Sequence, residues 1–170
     1  MSLDKWIEAA EKGDAKAQFY IGECYLIGND VTKDEAKAVK WFHKAAEQDN
    51  ADAQISLAWC YSDGDGVAED KVEAVRWYRK ATEQCDARAQ LYLGLCYAQG
   101  EGVCKDDTEA VKWYRKAAEQ GMSDAQFVLA ECYRYGKGVI KDKTEAVKWY
   151  RKAAKQGCDE AQLALKKLVK

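Results

Sequence analysis

The stretch AQLYLGLCYAQGEGVCKDDTEAVKWYRKAAEQG, residues 89–121, decides the fold. Ala89, Leu93, Cys96, Tyr97 and Gly100 recur at i, i+4, i+7, i+8 and i+11, the spacing of one face of an amphipathic helix, helix A. Gly94 lies on that face, and its small size implies close approach by a second helix, with Leu93 and Tyr97 filling the space beside it. Gly100 ends the helix as a left-handed residue, and Gly102 and Val103 continue the turn. Asp106 and Glu109 then open helix B; their spacing predicts that the Asp caps the helix while the Glu reaches back. Ala110, Tyr114, Ala117 and Ala118 face the core, with Trp113 on the flank, and Lys116 is expected to pair with Glu119, as Lys80 with Glu83, on the solvated side.

This helix, turn, helix unit returns every 36 residues. Ala17-Gln18, Ala53-Gln54, Ala89-Gln90, Ala125-Gln126 and Ala161-Gln162 form one column. Cys24-Tyr25, Cys60-Tyr61, Cys96-Tyr97 and Cys132-Tyr133 form another, and Trp41, Trp77, Trp113 and Trp149 a third. A fixed period of this length marks stacked units, each too small to bury its own apolar face alone. The chain is therefore expected to be all-α, one repeat domain over 1–170. Full repeats span 14–49, 50–85, 86–121 and 122–157, flanked by a half repeat at 1–13 and a capping helix at 158–170. Gly-x-Gly-Val recurs at Gly64, Gly66, Val67 and at Gly136, Gly138, Val139, always after a helix and never after a strand, so it reads as a connecting turn rather than a phosphate loop. Asp30 replaces the second glycine in the first repeat. Asp49 and Cys85 replace the closing glycine seen at Gly13, Gly121 and Gly157, at a cost of about 1 kcal/mol each if the left-handed turn is kept.

Composition narrows the function. The 27 basic and 29 acidic residues, a formal net charge of -2, spread through every repeat and leave no basic stripe for nucleic acid. No run of about 18 apolar residues offers a membrane span, and residues 1–13 do not resemble a signal peptide, so a cytoplasmic location is expected, although the chain could be an excised fragment. Equivalent cysteines in stacked helices stand about 8–10 Å apart or more, too far for a disulfide, so the Cys24, Cys60, Cys96 and Cys132 column reads as small buried hydrophobes. Cys85, Cys104 and Cys158 fall in junctions, where any disulfide would form; the odd total of seven favours reduced thiols.

The string Ala-Gln-x-x-Leu-Gly-x-x-Tyr-x-x-Gly-x-Gly-Val-x-x-Asp-x-x-Glu-Ala-Val-x-Trp-Tyr-Arg-Lys-Ala-Ala-x-Gln-Gly, read from Ala89 to Gly121, resembles the Sel1-like repeat, a relative of the tetratricopeptide repeat. The resemblance implies a right-handed αα superhelical solenoid that serves as a scaffold or adaptor for protein complexes, as in many bacterial proteins. A cysteine-rich secreted branch of that family carries disulfides within each repeat. Their columns here hold Ala46, Thr82, Ala118 and Ala154, and Gln54, Gln90, Gln126 and Gln162, so penicillin-binding or β-lactamase-like activity ascribed to that branch has no support in these residues.

Columns that vary between repeats are the ones architecture leaves free. On helix A they are those of Lys16, Tyr20, Glu23 and Ile27, spaced to form one stripe opposite the packed face. The stripe holds Tyr20, Glu23 and Ile27; Ser56, Trp59 and Asp63; Tyr92, Leu95 and Gln99; and Val128, Glu131 and Tyr135. It is expected to line a concave groove for a peptide or helix of a partner protein, with Trp59, Tyr92 and Leu95 central, because exposed aromatics dominate interface hot spots. The alternatives are that Trp59 and Leu95 pack against a neighbouring helix B or lie scattered on a surface that is always more than half apolar, or that the chain is a structural spacer in a larger protein. The invariant Trp41, Trp77, Trp113 and Trp149 read as structural.

No catalytic residue, metal site or cofactor is expected. His43 replaces Arg79, Arg115 and Arg151 in its column and has no repeated partner; neither CxxC nor HxxxH occurs. Lys166, Lys167 and Lys170 put charge on the last half repeat, which disfavours end-to-end polymerisation and predicts a monomer.

Overall fold

In the first three repeats helix A begins where a short acceptor side chain closes its first turn, whereas in the fourth Met122 stands at that position and offers no side-chain cap. Asp14 accepts from the amide of Ala17 at 2.8 Å, Asn50 from that of Ala53 at 2.8 Å, and Asp86 from those of Arg88 and Ala89. Each helix A ends at a left-handed glycine, Gly28, Gly64, Gly100 or Gly136, whose N–H donates to the carbonyl of Cys24, Cys60, Cys96 or Cys132. The computed structural model describes residues 2–168 and builds from these signals ten helices: α1 (Leu3–Glu11), α2 (Ala15–Ile27), α3 (Glu35–Ala46), α4 (Ala51–Asp63), α5 (Lys71–Glu83), α6 (Ala87–Gln99), α7 (Asp107–Glu119), α8 (Ser123–Tyr135), α9 (Lys143–Lys155) and α10 (Asp159–Leu168). No strand occurs among the described residues. The chain belongs to the all-α helical-repeat solenoid class.

The helices form two compact units, Met1–Gln84 and Cys85–Lys170. Within each, every helix packs on its neighbours in sequence, α1 through α5 in the first and α6 through α10 in the second. Phe42, Ile21 and Leu57 are the large, wholly buried side chains of the first unit, and Tyr150, Leu93 and Leu129 those of the second. The small column of helix A is small because an aromatic ring of helix B lies against it. A Cβ on Gly22 would stand 2.6 Å from the Phe42 ring, and one on Gly94 2.6 Å from the Tyr114 ring, whereas Ala58 and Ala130 accommodate theirs.

Two local expectations need correction. Asp70, Asp106 and Asp142 do cap helix B, each accepting two amides at 2.8–3.0 Å. The glutamates do not reach back. The amide they would accept is already taken, by the Tyr61, Tyr97 or Tyr133 carbonyl at the end of helix A. Glu73, Glu109 and Glu145 turn outward instead, to Arg76, Lys112 and Lys148 three residues on. Nor does the solvated face carry the expected lysine pairs: Lys116 lies over the Trp113 ring at 3.9 Å, and Lys80 over Trp77 while it pairs with Asp49 at 3.2 Å. An indole face offers the ammonium a partly desolvated site that an exposed carboxylate does not.

The glutamines of the Ala-Gln column form a buried polar row. Gln18, Gln54, Gln90 and Gln126 are buried on helix A. Gln54 donates to the Ala46 carbonyl at 3.1 Å and accepts from Gln84 at 2.9 Å, thirty residues on. Gln18 and Gln126 repeat the arrangement with Ala10 and Gln48, and with Ala118 and Gln156. In the first unit Gln54 and Ala46, and in the second Gln126 and Ala118, thus meet through a hydrogen bond at columns where the cysteine-rich branch is expected to be cross-linked. The seven cysteines are all thiols.

The junction substitutions keep the left-handed turn. Asp30, Asp49 and Cys85 have φ of 60°, 60° and 59°. Around the equivalent Gly13, Gly121 and Gly157 a Cβ would meet no atom within 4 Å, so the cost at 49 and 85 is conformational alone. Cys85→Gly is expected to raise stability by about 1 kcal/mol in urea unfolding. Asp49→Gly should gain less, since it gives up the Lys80 pair. No gain at Cys85 would show that the turn relaxes around its side chain.

Candidate functional site

The diversified stripe stays accessible. Of its twelve residues none is buried. In the first unit, α2 presents Tyr20, Glu23 and Ile27, and α4 presents Ser56, Trp59 and Asp63; in the second, α6 presents Tyr92, Leu95 and Gln99, and α8 presents Val128, Glu131 and Tyr135. Ile27 is 70% exposed, Trp59 46% and Tyr135 56%, values that place them among the six exposed large hydrophobics of the described chain. Half of that set thus lies on a stripe chosen only because the repeats disagree there.

The stripe is not wholly free of the core. Leu95 and Val128 pack against the second unit's buried cluster. Tyr20 stacks on Trp6 with centroids 4.8 Å apart. Glu131 accepts from the Tyr150 hydroxyl and lies 3.5 Å from the Arg134 guanidinium. Burial, and then the charge of Asp52, raise the Glu23 carboxyl above the ordinary glutamate range. In the second unit Val128, Glu131 and Tyr135 converge with Ala98, Asp107, Tyr114 and Lys137 on a pocket of about 190 Å³. Asp107 is the first residue of α7 and Lys137 follows the end of α8, positions that the periodicity of helix A does not index, so the sequence offered no signal for them.

His43 requires a correction. Its Nε2 stands 2.9 Å from the Tyr61 hydroxyl, and its ring meets Tyr61 and Trp77 edge-on. In the second unit Arg115 donates to the Tyr133 hydroxyl at 2.5 Å. The column does have a repeated partner, the tyrosine eighteen residues on, so His43 substitutes for arginine as a link between one repeat and the next.

The invariant indoles look to the packing. Trp149 is buried and Trp41, Trp77 and Trp113 half-buried; Lys44, Lys116 and Lys152 cover the Trp41, Trp113 and Trp149 rings at 3.8–4.2 Å. The indole N–H groups of Trp77, Trp113 and Trp149 are buried without a hydrogen-bond partner. A ring sandwiched between helix and lysine stem is retained for its apolar area.

Chemistry of the thiols points the same way. Cys24, Cys60 and Cys132 are buried and Cys96 is half-buried. Burial pushes the Cys60 and Cys132 thiols up to about 11, so they stay protonated at neutral pH, unlike a nucleophilic cysteine. Among the described residues no three His, Cys, Asp or Glu side chains come together as metal ligands. No helix among them is long and apolar enough to cross a membrane. Of the expected charged cap, Lys166 and Lys167 are exposed, while Lys170 lies outside the described residues.

Comparison with known proteins agrees with this geometry. A family model described as the Sel1 repeat matches residues 15–50, 51–84, 87–122 and 123–158. The chain is 43% identical over 44 residues to the secretory immunoglobulin A-binding protein EsiB of Escherichia coli O6:H1, a match that covers 26% of this chain and 9% of EsiB. It is similar to a protective antigen of uropathogenic E. coli that displays an SLR fold, with a TM-score of 0.92 and 42% identity over 95% of this chain and 34% of the antigen. It is also similar to a Sel1 repeat protein of Oxalobacter formigenes, with a TM-score of 0.90 and 40% identity over 99% of this chain and 67% of that one. The chain thus spans a minor part of EsiB and of the antigen. With four matched repeats over most of its length, and helices and caps recurring in step with them, the chain belongs to the Sel1 repeat family.

Proposed function

We propose that this chain is a protein-interaction scaffold, the general role of Sel1 repeat proteins, and that it engages a peptide or helix of its partner through the helix A stripe. The observation that carries the reading is the coincidence of variation and exposure: Ile27, Trp59 and Tyr135 are large, apolar and accessible at columns the packing does not dictate. Isolated exposed side chains are normal on a protein surface, but Ile27 and Trp59 beside half-buried Tyr20 in the first unit, and Tyr135 with half-buried Tyr92 in the second, are side chains of the kind that dominate hot-spot contacts. The immunoglobulin binding in the name of EsiB supports a role in recognition of other proteins and specifies no partner for this chain, given the short match.

Affinity capture from the source organism, with binding of the purified partner then measured by calorimetry, tests the reading. Trp59→Ala is expected to keep the melting curve and to weaken the partner by about 2 kcal/mol, roughly thirtyfold. Unchanged affinity in Trp59→Ala, Ile27→Ala and Tyr135→Ala alike would remove the stripe from the interface.

A further inference from the structure

Charge is distributed unevenly between the two units. Residues 1–84 hold 17 acidic and 11 basic side chains, and residues 85–170 hold 12 acidic and 16 basic, so both signs occur in every repeat but their balance reverses along the chain. The positive excess concentrates in the last full repeat. There the turn from α8 to α9 forms one wall of a cleft of about 260 Å³, lined by Arg134, Tyr135, Lys141, Lys143, Ala146 and Leu168. Three of those six residues are cations and none is a carboxylate.

The equivalent positions in the other repeats carry opposite charges, which form ion pairs in the first two. In the first repeat Lys33 pairs with Glu35 at 2.8 Å; in the second Lys71 stands 3.8 Å from Glu69; in the third the residues are Lys105 and Asp107. In the fourth both are lysine, Lys141 and Lys143, both are exposed, and no carboxylate among the described residues lies within ion-pairing distance of either. Lys143 is moreover the first residue of α9, where the helix dipole disfavours a cation. Residues 108–121 and 144–157 differ only at Glu119 against Lys155, so the charge change at Asp107 to Lys143 sits just outside a nearly identical copy. Neither the packing nor the cap accounts for it. The third cation, on the neighbouring helix, is Arg134, at 3.5 Å from Glu131 and with its guanidinium 5.0 Å from the Tyr135 ring centroid.

We infer that this cleft of the second unit docks an acidic segment of a partner protein, with Lys141, Lys143 and Arg134 receiving its carboxylates and Tyr135 and Leu168 its apolar flanks. The inference rests on the stripe reading, since Tyr135 belongs to both surfaces, and adds the chemistry of the partner. Charge complementarity selects the occupant. Three cations around an apolar floor match alternating carboxylate and aliphatic side chains, whereas a nucleic acid backbone calls for a longer basic track than one loop provides.

The test uses a fluorescein-labelled decapeptide of alternating glutamate and leucine, its glutamine and leucine counterpart, and a labelled single-stranded DNA 12-mer, each titrated against the whole chain by fluorescence anisotropy. The glutamate peptide is expected to bind, to weaken at least tenfold in the K141E/K143E variant, and to weaken as salt rises, while Lys112→Gln on the exposed face of α7 leaves it unchanged. Melting curves should coincide, because Lys141 and Lys143 are exposed. The inference is overturned if the glutamate peptide fails to bind, if the glutamine peptide binds as tightly, if the double variant retains the glutamate peptide, or if DNA binds more tightly and is lost in the same variant. Trp59→Ala reports separately on the stripe reading: that reading fails if Trp59, Ile27 and Tyr135 variants keep the native partner, whatever the acidic peptide does.

Discussion

Gly66→Ala is expected to cost about 4 kcal/mol, while Gly157→Ala, also at positive φ, costs about 1 kcal/mol. Both residues occupy the left-handed region, Gly66 at φ 71° and Gly157 at 90°, so the backbone penalty is shared. The difference lies in what surrounds them. A Cβ on Gly157 would meet nothing within 4 Å, whereas one on Gly66 would collide with the carbonyl group of Glu35 and stand 2.7 Å from the amide nitrogen of Ala36. Those atoms form the first turn of α3 and cannot swing aside as a side chain can. Gly138 has the same relation to Asp107 and Thr108 at the start of α7. The loop of one repeat therefore rests on the first turn of the preceding helix B, and an added methyl must push the two apart. Urea unfolding of the two variants checks the prediction; equal losses would mean that the repeats yield without cost.

Gln54→Ala is expected to lower stability by about 3 kcal/mol, against about 1 kcal/mol for Gln84→Ala. Gln54 is wholly buried, and its amide joins the Ala46 carbonyl of the preceding helix to the Gln84 side chain after α5. Truncation leaves the Ala46 carbonyl without its side-chain donor and opens a void in the core, two penalties that add. Gln84 is exposed and water can replace it. If both variants lose the same amount, the buried amide would not be the element that registers one hairpin on the next.

The glutamine column shows where sequence reading stopped. Its period was plain from Gln18 to Gln162, but a hydrogen bond over thirty residues depends on how helix B returns past helix A, which no local pattern encodes. The outward glutamates tell the same story. Asp70 and Glu73 have the spacing of a capping box, and only the tertiary structure reveals that the Tyr61 carbonyl already occupies the amide that Glu73 would take. His43 was read as a lone replacement for arginine because its partner, Tyr61, lies on the next repeat. That no residue of the stripe is buried was legible from the period, but that Leu95 and Val128 also pack on the second unit's core was not. The pocket lined by Asp107 and Lys137, and the cleft that holds Lys141 and Lys143, required the loops to be placed.

By itself the sequence determined the helices, their caps, the left-handed turns and the identity of the packed and open columns, since all of these follow from interactions within a few residues of each other and from a strict repeat. Tertiary structure decided which polar groups satisfy one another across hairpins, why Gly66 and Gly138 tolerate no methyl group, and which charges share a cleft. Contacts of that kind depend on separations of thirty residues or so, and their energy is set by the distance and burial that packing imposes, not by the residues alone.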